Sequence, residues 1–187
     1  MDHKSQQTVF RWWQGMNLPP AELKKQHIPP SPTSYRAQLR RCESVDAAMF
    51  TEGFRDLWFK LGEEITGGDY VDKQMEIWAV ISALLVHVRK DTQQNFAFRA
   101  GRKTDSAKSV VSELRFAQLQ NSKTPDEFLR RMRRILKQIN GEVSVKDLSS
   151  DIFQWFFEHN QFRPRKADKR ISVRWAMDYY RAAAQKK

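Results

Sequence analysis

Hydrophobic positions along the 187-residue chain recur at helical rather than strand spacing, and helix start and stop signals punctuate them. The clearest case is residues 125–139. At about 100° per residue, Phe128, Leu129, Met132, Ile135, Leu136 and Ile139 fall within one third of a helix circumference. Thr124 stands at the N-cap position, Pro125 at the first helical position and Asp126 in the first turn, with Glu127 placed to close a capping box; Asn140-Gly141 stops the helix. Similar patterning predicts helices over 5–16, over "YRAQLRRCE" behind a Thr33 or Ser34 cap, and over 45–62 behind Ser44. Further helices are expected from Asp69 or Asp72 to about Lys90, and over 105–120, 145–159 and 168–184. Residues 17–34 hold five prolines and read as a turn-rich connector, while 91–104 read as a polar, basic loop around Gly101. No alternating strand run, repeat or low-complexity tract interrupts the pattern. The expected fold is all-α, a helical bundle made of two packed sub-bundles. The N-terminal one covers 1–95 and a basic C-terminal one 96–187, the alternative being one compact domain over 1–187.

The longest apolar run, "IWAVISALLVHV" at 77–88, includes Ser82 and His87. A membrane-spanning helix needs about 20 apolar residues, so this run predicts a buried core helix. A hydrophobic content of 40% suffices for a packed core without staples. The single cysteine, Cys42, rules out an intrachain disulfide and points to a reducing compartment. No signal-peptide pattern opens the sequence, so the expected location is cytoplasmic.

Charge changes the picture. The net charge is +11, and its distribution is uneven: residues 1–95 carry 12 Lys and Arg against 12 Asp and Glu, whereas residues 96–187 carry 21 against 10. On the 125–139 helix, Arg130, Arg133, Arg134 and Lys137 gather opposite the apolar stripe at spacings i, i+3, i+4 and i+7. Like charges so spaced repel by a few tenths of a kcal/mol per pair, so folding gains nothing from them. A merely solvated helix face is the plain alternative. Arg99, Arg102 and Lys103, then Lys108 and Arg115, then Arg163, Arg165, Lys166, Lys169, Arg170 and Arg174 extend the basic character through the second half. A phosphate backbone could follow such patches, bound by counterion release without sequence readout.

Candidate chemistry is sparse. The four histidines, at 3, 27, 87 and 159, show no metal-ligand spacing, and His87 on an apolar helix reads as a core residue. Glu63-Glu64 reads as surface at a helix end, and Cys42, although it follows Arg40 and Arg41, as a bystander thiol. No Walker loop, GxGxxG or GxSxG occurs, and no cofactor or metal is expected. Most aromatics lie in helical patterns and read as packing; Phe96 and Phe98, beside Arg99 in the basic loop, are the candidates for meeting a nucleobase. Phe116 and Leu119 fall off the stripe formed by Val110, Val111, Leu114 and Ala117, which predicts a second helix neighbour or a protein partner.

The early Trp12 helix, "RAQLRR" (36–41), "WAVISALLVHV", "SELRF" (112–116) followed by "LRRMRRIL", and "VRWAMDYY" (173–180) together resemble the CasB family, the small subunit of the type I-E Cascade CRISPR surveillance complex. The resemblance is one of order and spacing over almost the whole chain. It implies a non-catalytic helical protein, paired head to tail with a second copy, touching the crRNA-bearing subunits and holding the displaced DNA strand of an R-loop. With the basic face it designates Arg130, Arg133, Arg134 and Lys137 as strand contacts, supported by Arg36, Arg40, Arg99, Arg102, Lys108 and Arg115. The alternative is a free-standing DNA-binding regulator in which helices 105–120 and 125–139 mimic a helix-turn-helix. Against it, the basic residues line the whole second helix rather than its N-terminal end, where a recognition helix reads bases.

Overall fold

The computed structural model describes residues 1–105, 107–160 and 163–185. The chain forms two compact units, Met1–His87 and Val88–Lys187, and it is predominantly helical, as expected.

The first unit holds α1 (His3–Asn17), α2 (Pro20–Lys25), α3 (Thr33–Arg41), α4 (Val45–Met49), α5 (Glu52–Trp58), α6 (Glu63–Thr66) and α7 (Val71–Leu85). Its core is α7, in which every residue from Ile77 to Leu85 is buried, and α3, α4, α5 and α6 pack against it. The one polar side chain in that run, Ser82, satisfies its hydroxyl by donating to the Ala79 carbonyl at 2.8 Å. Several expectations change here. The 45–62 segment is two helices, because Thr51 acts as a second N-cap, its hydroxyl accepting from Phe54 N at 3.1 Å. The proline-rich connector also contains α2, with Pro20 at its first position, where a missing N–H costs nothing. Glu63 and Glu64 open α6 rather than ending a helix, and His87 sits half-buried in the turn after α7 rather than on it. Cys42 is buried, its thiol donating to the Gln38 carbonyl.

The second unit runs β1 (Lys90–Asp91), α8 (Phe96–Gly101), α9 (Glu113–Gln120), α10 (Pro125–Gln138), β2 (Glu142–Val143), α11 (Val145–His159), a 3-10 turn (Ala167–Lys169) and α12 (Ile171–Ala184). β1 and β2 pair in parallel, Lys90 with Glu142 and Asp91 with Val143. The sequence predicts no strand here, since two residues are too few to show alternation. Residues 88–95, assigned to the N-terminal half by the sequence pattern, therefore run with the second unit.

The stretch expected as a loop over 91–104 holds α8 at its centre, capped by Asn95, whose side chain accepts from Phe98 N at 2.8 Å. Phe96 is fully buried and meets Trp175 edge-on at 4.9 Å, so it is core and not a base-stacking ring; Phe98 is half-buried. The 105–120 helix begins only at Glu113, which moves Val110 and Val111 off the helix and resets its phase. Phe116 and Leu119 are therefore buried, whereas Leu114, expected on the apolar stripe, is 71% exposed. Phe116 stacks on Tyr179 of α12 at 4.4 Å. The second helix neighbour expected for it is thus α12, and Phe116 is a core residue rather than a partner contact.

α12 closes over α8 so tightly that a Cβ at Gly101 would run into the Tyr179 carbonyl. The Tyr179 hydroxyl donates to the Val111 carbonyl at 2.6 Å. Between α11 and α12, the buried Asp151 accepts from Trp175 Nε1 at 2.9 Å and from Arg174 Nη2 at 3.5 Å. Burial pushes its carboxyl up to about 7, against the opposing pull of those two donors.

Candidate nucleic-acid interface

α10 is built as its sequence predicts, with one change at its start. The Thr124 hydroxyl accepts from Glu127 N at 3.2 Å, but the Glu127 carboxylate reaches past Thr124 to take Lys123 N at 2.9 Å. That backbone hydrogen bond, with Arg131 and Arg130 nearby, holds the Glu127 carboxyl below its usual range. Phe128, Leu129, Met132, Ile135 and Leu136 are buried, which fixes the rotation of the helix.

The five cations of α10 then sort themselves. Arg131 is tied to the fold: it donates to the Gln118 carbonyl at 2.7 Å and to Ser122 Oγ at 3.3 Å, and pairs with Glu127 at 3.4 Å. Arg133 is half-buried, while Arg130, Arg134 and Lys137 are exposed. Among the described residues no carboxylate comes within ion-pair distance of those three. They line one side of a helix about 21 Å long at 1.5 Å per residue.

The C-terminal end of α10 meets a second basic group. A cleft of about 350 Å³ is lined by Arg99, Arg102 and Lys103 on one side and by Gln138 and Asn140 on the other. Arg102, Lys103 and Lys108 are exposed on a tight turn in which Thr104 N donates to the Lys108 carbonyl at 2.8 Å and Lys103 bridges to Ser109. The turn also carries Asp105. Arg99 differs from its neighbours because it forms an ion pair with Glu142, a residue no spacing rule connects to it. Arg115 is exposed on α9. The structure thus gathers Arg99, Arg102 and Lys103 near the end of the helix that bears Arg134 and Lys137, while Lys108 lies across the same turn, its carbonyl accepting from Thr104 N. Arg36 and Arg40 lie on α3 in the first unit; Arg36 is half-buried, and Arg40 is exposed with its Nε donating to the Val86 carbonyl at 3.2 Å.

Charge divides by unit as well. Met1–His87 holds 10 Lys and Arg against 11 Asp and Glu, a net of −1; residues 88–187 hold 23 against 11, a net of +12. Among the described residues no cluster of three or more His, Cys, Asp or Glu could hold a metal ion, and no helix is long and apolar enough to cross a membrane.

A protein-family model for the CRISPR-associated protein Cse2 matches residues 35–180. The chain belongs to the Cse2 family. No curated protein and no solved structure matched it. The Cse2 family, also called CasB, makes the chain a small subunit of a type I-E CRISPR Cascade complex, and its members are structural components of that assembly. Every candidate cation, from Arg36 to Lys137, lies inside the matched segment. Membership in a family of Cascade subunits replaces the alternative of a free-standing regulator.

Proposed function

We propose that this Cse2-family subunit is non-catalytic and holds the displaced DNA strand of an R-loop through sequence-independent contacts to phosphates. It also supports assembly of the crRNA-bearing complex in the cytoplasm, beside the other Cascade subunits and a second copy of itself. One observation carries the reading: Arg130, Arg134 and Lys137 stand exposed, with no carboxylate among the described residues at ion-pair distance, along a helix whose other side is buried in the core. Arg133 completes that face, and Arg36, Arg40, Arg99, Arg102, Lys108 and Arg115 are the supporting contacts.

In RNA-guided recognition the heteroduplex formed is about as stable as the duplex it replaces, so modest contacts to a strand backbone tip the balance. Base pairing supplies the sequence information, and this subunit supplies charge. Each phosphate neutralised releases counterions, so binding weakens as salt rises, with a slope of about −0.7 per contact on a single strand.

The test is the triple substitution of Arg130, Arg134 and Lys137 by alanine. The slope of log affinity against log salt for single-stranded DNA should fall in magnitude by about 2, with the thermal melt unchanged. A triple variant with the wild-type slope would mean that the face is only solvated.

A further inference from the structure

The N-terminal end of α10 borders a different kind of cleft, one that carries aromatic rings as well as cations. It encloses about 620 Å³, a volume in the range of sites that take small ligands. The turn after α9, the end of α11 and the start of α12 form its walls. One wall is a column of rings. Phe128 stacks on Trp155 with centroids 4.2 Å apart and planes at 20°, and His159 stacks on Trp155 at 4.8 Å and 9°. Two rings that near and that parallel cannot share one face of the indole, so Trp155 lies between them. Phe128 and Trp155 are buried whereas His159 is exposed, so the column ends in a flat ring open to water.

Lys123 and Arg163 line the same cleft, and both are exposed. Its acid, Glu158, is engaged at the first residue of α12: Oε1 accepts from Ile171 N at 2.7 Å and from Gln154 Nε2 at 2.9 Å. A carboxylate is favoured there by the helix dipole, and its charge is partly offset before any ligand arrives.

We infer that this cleft seats one base of the bound single strand, stacked on His159, with the flanking phosphates against Lys123 and Arg163. The inference rests on the proposed function and adds to it. The α10 face grips the backbone, while the ring column fixes where a base sits. Every base has a π-face, so such a contact holds the strand without reading sequence. An apolar side chain of a partner subunit would also cover rings, but it would leave Lys123 and Arg163 without a counterpart.

The experiment uses the full chain and compares an oligothymidylate with an abasic strand of equal length. The wild type should bind the thymidylate tighter by about fivefold or more, the range expected for one base–aromatic stack. His159→Ala should erase that preference and leave abasic affinity unchanged, and His159→Phe should keep it. Lys123→Ala and Arg163→Ala should each lower the salt slope by about 0.7 on both strands. An oligouridylate against its abasic counterpart shows which sugar the site accepts, and a base preference lost on His159→Ala in either series supports the site. Equal wild-type affinity for base-bearing and abasic strands, or a preference that survives His159→Ala, overturns the base site and leaves the backbone reading standing. So does a His159→Ala variant that loses Cascade partners while keeping its base preference, since the cleft would then hold protein. Failure of the wild type to bind any of these strands at low salt takes down both.

Discussion

α7 and α10 are nearly equal in length and opposite in how they use their circumference. α7 confines Asp72, Lys73 and Glu76 to its first half and buries everything from Ile77 to Leu85, so it anchors the first unit and presents little of itself to a partner. α10 buries one stripe and leaves Arg130, Arg134 and Lys137 outside. Magnitudes explain why the second arrangement survives. Repulsion among cations at helical spacing costs a few tenths of a kcal/mol per pair, and exposed ion pairs contribute only ~0–1 kcal/mol when present. Burying a side chain such as Phe128 contributes ~1.5–3 kcal/mol. A fixed apolar stripe can therefore hold a row of cations without ion pairs in place, which is how a unit of net +12 folds.

The largest expected effect tests the α7 side of this contrast. Trp78→Ala, at a position with no exposure, should cost about 3–5 kcal/mol in urea denaturation; a loss under 1 kcal/mol would mean that α7 is not the anchor. Next comes the second unit's exception, its buried acid. The Asp151 carboxyl is pushed up to about 7 in the fold from an ordinary 3.8, so between those values the native state binds more protons than the unfolded chain. Its contribution is fully present below about pH 4, is lost as pH rises to about 7, and is constant above. The stability of Asp151→Asn relative to wild type should accordingly rise by a few kcal/mol between pH 4 and pH 7; a pH-independent difference would place the ionisation elsewhere.

A smaller effect concerns the start of α10. Thr124→Ala removes the acceptor for Glu127 N and should cost about 1 kcal/mol, measured by thermal melting. Its salt slope for strand binding should not move, because the cations remain. The smallest effect compares single cations of the two units. Arg102→Ala should lower the salt slope by about 0.7, and Arg40→Ala by less, since its Nε is already spent on the Val86 carbonyl. An equal fall for both would put the first unit fully into the interface.

α10 and α11 were readable almost to the residue because their apolar stripes are unbroken and Thr124 and Ser144 cap them. The basic row on α10 was readable for the same reason, since a known phase fixes which side each arginine takes. Residues 102–120 were not. Val110 and Val111 fit a helical stripe by spacing, yet their backbone N–H groups go to the Arg102 and Ala100 carbonyls, a choice made by packing under α12. With the phase wrong, Phe116 fell off the stripe, and its spacing could not say whether a helix or a partner protein would cover it; Tyr179 of α12 does. Arg99 showed the same limit on the site: its pairing with Glu142 comes from the chain crossing that joins β1 to β2, which no local pattern encodes. The His159 ring column had no signature either: Trp155 and His159 stand one helical turn apart, but Phe128 joins them from another helix.

Tyr179 makes the basic turn and the last helix a single lever. Its carbonyl blocks any side chain at Gly101, just before Arg102, and its hydroxyl clamps Val111, just after the turn. The backbone before Arg102 packs against Tyr179 and the backbone after Lys108 is hydrogen-bonded to it, so a displacement of α12 carries with it both ends of the turn that bears Arg102, Lys103 and Lys108. A neighbour that grips α12 would tilt those three cations without touching them.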